Sequence, residues 1–446
     1  MPTQMQKPPL KIAIVGSGIA GLAAAHALQG SENITLFEAG SYFGGHTHTV
    51  DITLPTSKGV VTHGIDTGFL VFNERTYPHL IKLLADLGVE TAKSDMSFSV
   101  QVPQKNGALE WSGSNLNTVF AQRSNLLNPR FWRMLRDLMR FNKLATQIAK
   151  SGAESQLMQP LEAFLQTNHF SIEFRDWYLL PMLGCIWSCP TSQMLQFPVA
   201  TMVRFCHNHG LLQVNDRPQW WTVAGGAKHY VEKIVANIAD KRLNTPVHSI
   251  ARDGRGVHIV SNAGSERFDK VIIATHSDQA LAMLQQPSLM EQQALSAINY
   301  QANTAVLHTD ASVLPQRKAA WAAWNYERVQ LDPNQPDHAN VCLHYLINKL
   351  QPIPFEQPVV VSLNPTKPIA PEHVLGTFDY AHPVFDMAAI NAQADIPALQ
   401  GQQNTYFCGA WTGYGFHEDG LKSGLAAAGQ LLAKQLLEEK QWQAAA

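Results

Sequence analysis

The residues with the most evident chemistry in this chain are Gly16, Ser17, Gly18, Ile19, Ala20 and Gly21, with an acid, Glu38, 17 positions beyond Gly21. Three glycines at this spacing suit a phosphate cradle. Gly16 permits a tight turn, Gly18 lets backbone amides approach a pyrophosphate, and Gly21 lets a helix pack closely on a strand. Amides at a helix N-terminus are unpaired and carry the positive end of the helix dipole, so they attract anions. Glu38 is placed to accept hydrogen bonds from ribose hydroxyls, and its charge argues against the 2′-phosphate of NADP.

The elements that must position these groups are legible around them. Ile12–Val15 is an apolar run with strand character, Leu22, Ala25 and Leu28 recur at helical spacing, and Ile34–Phe37 is a second strand that ends at Glu38. Strand, glycine turn, helix, strand and acid together form the βαβ dinucleotide fingerprint in its required context.

With 446 residues, 45% of them hydrophobic, the chain can bury a large core in two intertwined domains. Charged residues make up only 15%, and the formal charge of −2 offers no general attraction to nucleic acid. No nucleic-acid motif is visible. The first ten residues lack an apolar signal core and read as a short disordered lead. Of the five cysteines, Cys185 and Cys189 have three residues between them rather than two, and no histidine pair accompanies them, so no metal site is expected. An odd cysteine count without an export signal points to a reducing cytoplasm. The run Trp177–Val203 carries no charge over 27 residues, but Pro181, Pro190 and Pro198 interrupt it. It reads as buried structure rather than a membrane span.

Further glycine-rich segments follow the fingerprint: Gly44-Gly45-His46, then Gly64 to Phe69, then Trp221 to Gly226. Near the end come Tyr406 to Ala410, Gly415 to Gly420, and Ser423-Gly424. Together these resemble the flavin-containing amine oxidase and phytoene desaturase superfamily, which includes protoporphyrinogen oxidases. Within it the match is to bacterial NAD/FAD-binding, amine-oxidase-like proteins. The resemblance implies FAD as cofactor and an α/β fold: a Rossmann-type FAD-binding domain of the glutathione-reductase kind with an inserted α+β substrate domain. The FAD domain is then discontinuous, over 8–75, 218–285 and 400–440, and the substrate domain takes 76–217 and 286–399. The implied cofactor contacts are Gly16, Ser17, Gly18, Ile19, Ala20, Gly21, Glu38, Ala39, Gly44, Gly45 and His46. They continue through Thr67, Gly68 and Phe69 beside the flavin ring, Val247 at the adenine, and Gly409, Glu418, Asp419 and Leu421 near the pyrophosphate or the pyrimidine edge.

Three departures from the family pattern bear on the chemistry. His46 stands where relatives keep Arg, so the cation facing the phosphates depends on pH. Phe416 falls where amine oxidases place an aromatic-cage tyrosine. The strand Asn303–His308 lacks the lysine that holds water near the flavin. His308, His344, His382 and His417 are candidate proton-handling groups, with His417 foremost because it adjoins Glu418 and Asp419. His417 and Phe416 are the residues singled out at the reacting centre, although desaturation by hydride transfer needs only positioning.

Two features suggest a hydrophobic partner. Trp177, Tyr178, Leu179, Leu180, Met182, Leu183, Ile186, Trp187, Met194 and Phe197 could line a lipophilic tunnel, or be plain core. Between Leu116 and Lys150 the chain carries five Arg, two Lys and one Asp. Arg133, Arg136, Arg140 and Lys143 share a helix face, opposed by Phe131, Leu135, Leu138, Asn142 and Ala145. This is either a solvated basic face or a peripheral contact, near 130–143, with the inner face of a membrane. The expected function is FAD-dependent hydride abstraction from a lipid acyl chain or isoprenoid-like molecule. Two alternatives stay open: an amine oxidase releasing imine and hydrogen peroxide, and a non-catalytic binding protein on the same fold, in the manner of GDP-dissociation inhibitors.

Overall fold

Ile12, Ala13, Ile14 and Val15 are buried without polar alternation, the pattern of a strand covered on both faces. In the computed structural model, which describes residues 9–104, 107–152, 159–187, 190–213, 217–328 and 341–445, this strand is Lys11–Val15. It is the middle of a five-stranded sheet ordered Asp240–Arg242, Asn33–Phe37, Lys11–Val15, Lys270–Ile273, Thr405–Phe407. All the pairings are parallel. The lead up to residue 8 and Cys189 lie outside the described residues.

The helix Ile19–Leu28 covers one face of this sheet, and the helix His417–Ala445 packs along it. Their contact is close because Gly424 faces Ala20: a Cβ at 424 would stand 2.0 Å from the Ala20 carbonyl oxygen. The other face is covered by the antiparallel strands Val247–Arg252, Val257–Ser261 and Gly264–Phe268, with the helices Ser277–Met283 and Leu289–Ser296.

A second sheet of seven strands stands over the carboxyl ends of the first. Its order is Val374–Pro383, Tyr300–His308, Val360–Leu363, Cys342–Leu346, Trp324–Glu327, Phe98–Gln104, Gly107–Ser112. Only Trp324–Glu327 and Phe98–Gln104 run parallel; the other pairs are antiparallel. The helices Pro129–Ser151, Leu161–Thr167, Leu180–Trp187 and Val199–Asn208 pack against it in one large apolar cluster. The fold class is therefore the expected one, a Rossmann-type parallel sheet joined to an α+β substrate-binding part.

Local structure refines the sequence reading. The stretch 76–217 combines helices with the strands Thr91–Ser94, Phe98–Gln104 and Gly107–Ser112. The alternation of Phe98–Gln104 is masked because Ser99 is buried, its hydroxyl bonded to Asn325 Oδ1 at 2.7 Å. The core face of Pro129–Ser151 is formed by Phe131, Met134, Phe141 and Ala145, while Leu135 and Leu138 turn toward a cavity. A π-helical turn at Arg175–Leu179 resets the phase of the helix that follows, and such turns recur at functional sites.

Candidate active site

At Gly16 and Gly21 the cradle is built by sterics that only glycine satisfies. Gly16 has φ +99°, and a Cβ at Gly21 would lie 1.9 Å from the Gly16 carbonyl oxygen. Glu38 closes the cradle, with Oε2 accepting from the Ser17 amide at 3.0 Å and Oε1 from the Gly40 amide at 2.7 Å. Ser17 Oγ accepts in turn from the Gly44 amide at 3.2 Å, and a bridge between Gly18 and Gly44 brings the second glycine loop alongside.

From this cradle a cavity of about 1160 Å³ runs between the two sheets. That exceeds the roughly 300–1,000 Å³ of an ordinary ligand pocket, so it has room for a dinucleotide and a second molecule. Of the cofactor contacts expected from sequence, together with Phe416 and His417, all line it except Gly21, Thr67, Glu418, Asp419 and Leu421. Gly21 is consumed by helix–strand packing, its expected part. Thr67 bonds Tyr380 Oη at 2.7 Å. Glu418 turns away to accept from the amides of His79 and Leu80, capping the helix Pro78–Asp86. Asp419 accepts from the amides of Tyr414 and Phe416 and so shapes the loop before the last helix. Leu421 is buried in the core cluster of the parallel sheet. The side chains of these last three support the cavity wall from behind; none projects into it.

Histidines converge where the cradle meets the second sheet. The His46 ring lies 5.3 Å from His382 and 6.3 Å from His276, centroid to centroid, and 5.0 Å from Tyr380. Its buried Nε2 has no hydrogen-bond partner among the described residues. Burial, reinforced by His382, His276 and His417, holds His46 well below the ordinary imidazole pKa. Burial with His276 nearby lowers His382 to about 4, and burial alone lowers His417 to about 3. At neutral pH these rings are therefore neutral hydrogen-bonding groups. His46 supplies no standing positive charge of the kind an arginine would give.

Phe416 stacks on Phe205, with centroids 4.7 Å apart, and extends an aromatic wall that includes Trp187 and His209. Of the expected tunnel residues, Tyr178, Met182, Ile186 and Trp187 line the cavity; Trp177, Leu179, Leu180, Leu183, Met194 and Phe197 are core. Among the described residues, the lining holds two side chains of fixed charge, Glu38 and Arg217.

His308 and His344 lie away from the cavity, inside the second sheet. The Asp310 amide donates to His308 Nδ1, which makes His308 Nε2 the donor to Ser362 Oγ at 2.7 Å. The Ser362 hydroxyl then donates to His344 Nδ1, and His344 Nε2 donates to Glu327 at 3.1 Å. Cys342 Sγ stands 3.4 Å from the same Nε2, so Glu327, Cys342 and His344 form a cluster of metal-ligating types that cysteine spacing did not reveal. The hydrogen-bond chain satisfies both imidazoles without a cation.

Sequence reasoning missed His276 and Tyr300, whose rings stack at 4.2 Å against the cavity. The available signal was position: His276 lies three residues beyond the end of the strand Lys270–Ile273, and ligands of open α/β sheets bind beyond the strand carboxyl ends.

A parallel sheet with a glycine cradle at its carboxyl ends, facing a second sheet across a large cavity, defines a dinucleotide-dependent oxidoreductase of two-part design. The profile of the flavin containing amine oxidoreductases matches residues 19–432. Among solved structures, a CLA-producing fatty acid isomerase from P. acnes superposes with a TM-score of 0.65 at 17% identity, covering 94% of this chain and 98% of its own. Cyclohexylamine oxidase from Brevibacterium oxydans IH-35A gives 0.65 at 16%, covering 96% and 100%. Putrescine oxidase, bound to putrescine, gives 0.65 at 17% with the same coverage. The chain belongs to the flavin containing amine oxidoreductase family, and it is an FAD-dependent oxidoreductase.

Proposed function

We propose that the protein removes hydride from a hydrophobic small molecule, an acyl chain or an isoprenoid-like compound, held in the apolar half of the cavity. The observation that carries this reading is the lining: among the described residues, beyond Glu38, which belongs to the cradle, it has no carboxylate, and its one fixed cation is Arg217. A protonated amine gains little from such walls, whereas an alkyl chain buries about 25 cal/mol for each Å² of apolar surface. In this reading the glycine loops and Glu38 hold the dinucleotide, Gly68 and Phe69 border the ring, and Val247 meets the adenine. When bound, FAD supplies the hydride acceptor. Tyr178, Met182, Trp187 and Phe205 orient the substrate and exclude water, and the neutral His46, His276 and His382 offer hydrogen bonds without a fixed charge.

Family membership favours a second reading, oxidation of an amine to an imine with release of hydrogen peroxide. Anaerobic incubation of the FAD-loaded protein with lipid extracts and with amines separates the two. Bleaching of the flavin band by lipids supports the first, whereas bleaching by amines alone, with peroxide released in air, establishes the second.

A further inference from the structure

Among the described residues fourteen large apolar side chains are exposed, and six of them fall between Leu116 and Ile172. Leu127 is 90% exposed, Leu116 78%, Met139 57% and Trp132 50%. Soluble surfaces scatter such residues singly, and a concentration of them marks an interaction site. These belong together in space: Trp132 Nε1 donates to the Leu126 carbonyl at 2.9 Å, and Phe120 packs on Trp132 at 5.4 Å.

The cavity reaches this same face. Leu116, Trp132 and Met139 are at once exposed and part of its lining, which places a mouth between them. Around the helix Pro129–Ser151, at about 100° per residue, one strip enters the core through Phe131, Met134 and Phe141. The next, Leu135 and Asn142, faces the cavity; Trp132 and Met139 form its outer rim; Arg133, Arg136, Arg140 and Lys143 follow in solvent. The buried acids Glu173 and Asp137 each pair with two of the arginines. With those two acids set against the five Arg and two Lys between Leu116 and Lys150, the face keeps a charge of +5.

We propose that this face seats on an anionic lipid bilayer, with Leu126, Leu127, Trp132 and Met139 entering the interface and the cavity mouth opening onto hydrocarbon. Tryptophan favours the headgroup level, and apolar side chains flanked by lysine and arginine are the composition of in-plane membrane contacts. No described helix is long and apolar enough to cross a membrane, so the contact is peripheral. The docking explains how a water-insoluble substrate would reach the cavity, and in that respect it rests on the proposed function.

Flotation of the FAD-loaded full chain with vesicles tests it. The protein should float with phosphatidylcholine–phosphatidylglycerol vesicles, float less with phosphatidylcholine alone, and be released by salt. Replacing Arg123 and Lys143 by Gln should weaken partition roughly fivefold per residue, which is about 1 kcal/mol each. Leu126→Glu with Leu127→Glu should abolish flotation and leave the flavin spectrum, a readout of fold, unchanged. Failure to float at low salt, or equal flotation of the variants, overturns the proposal. A concentration-dependent dimer dispersed by the Leu126→Glu, Leu127→Glu pair also overturns it, since a second copy would then own the face. Flotation without bleaching by lipids leaves the docking standing and removes the substrate reading; bleaching by dispersed lipids without flotation does the reverse.

Discussion

The imidazole of His417 lies flat on the ring of Phe69, with centroids 3.8 Å apart and planes 12° from parallel. Its Nε2 meets Tyr230 Oη at 2.8 Å. Held in this sandwich without a charged partner, and lowered to about 3 by burial, His417 does not titrate in the window of about pH 5–8 where an ordinary histidine works. His417→Phe keeps the stack and loses one hydrogen bond, while Tyr230 retains Thr47. The variant should bind FAD, lose about 1 kcal/mol of stability, and show the same pH dependence of flavin absorbance as the unsubstituted protein. A new or missing inflection near neutrality would restore His417 as a proton carrier.

The glycines of the cradle separate into two kinds. Gly21→Ala drives a methyl group into the Gly16 carbonyl, and neither backbone can retreat, so a loss of at least about 3 kcal/mol is expected, read as a fall in thermal midpoint. At Gly18 a Cβ meets nothing within 4 Å. Gly18→Ala should leave the apoprotein's midpoint nearly unchanged and weaken FAD uptake by filling the approach to the diphosphate. Equal effects of the two substitutions would contradict this division.

Glu38 is engaged by the amides of Ser17 and Gly40 even before it meets a ribose. Glu38→Gln presents an NH₂ to one of those donors. Hydrogen bonds to a charged group contribute about 1.5–3 kcal/mol, so FAD affinity should drop roughly tenfold to a hundredfold in a fluorescence titration. Affinity within a factor of two of the original would remove Glu38 from the site.

Acid should unfold the protein early. His209, His308 and His382 are lowered to about 4 by burial, from an ordinary value of 6.5. In the unfolded chain each takes a proton as pH falls through 6.5, whereas in the folded chain it stays neutral down to about 4. The unfolded state binds the extra protons in that window, so stability is full above it and declines as pH falls across it. Thermal midpoints measured between those limits should drop steadily. His308→Asn should flatten the slope, since its ring is fully buried in the second sheet.

How much of this was legible beforehand differs between the two halves. The cradle could be read because its spacing is local: Gly16, Gly18, Gly21 and Glu38 sit in one βαβ unit, within a few tens of residues. The histidine cluster could not, because His46, His276 and His382 come from three distant segments and meet only through tertiary packing. The place of Glu418 and Asp419 at the start of the last helix suggests cofactor contacts, yet in the fold their carboxylates accept from backbone amides at 79, 80, 414 and 416. The strand Val374–Pro383 gave little pattern, since an edge strand with Gly376 and Pro383 is half exposed on both faces.

The order of strands in the parallel sheet also sets a timetable for synthesis. Lys11–Val15 emerges from the ribosome first, but its neighbour Lys270–Ile273 follows some 250 residues later, and Thr405–Phe407 and the helix that seals Ile19–Leu28 come last. Until then Leu22, Ala23 and Ala24 have no lasting cover, and the nascent chain must keep a sticky surface out of trouble while the long stretch up to Thr405 is made. A chain released before Thr405 would carry every residue of the glycine fingerprint and still lack the partner that closes it.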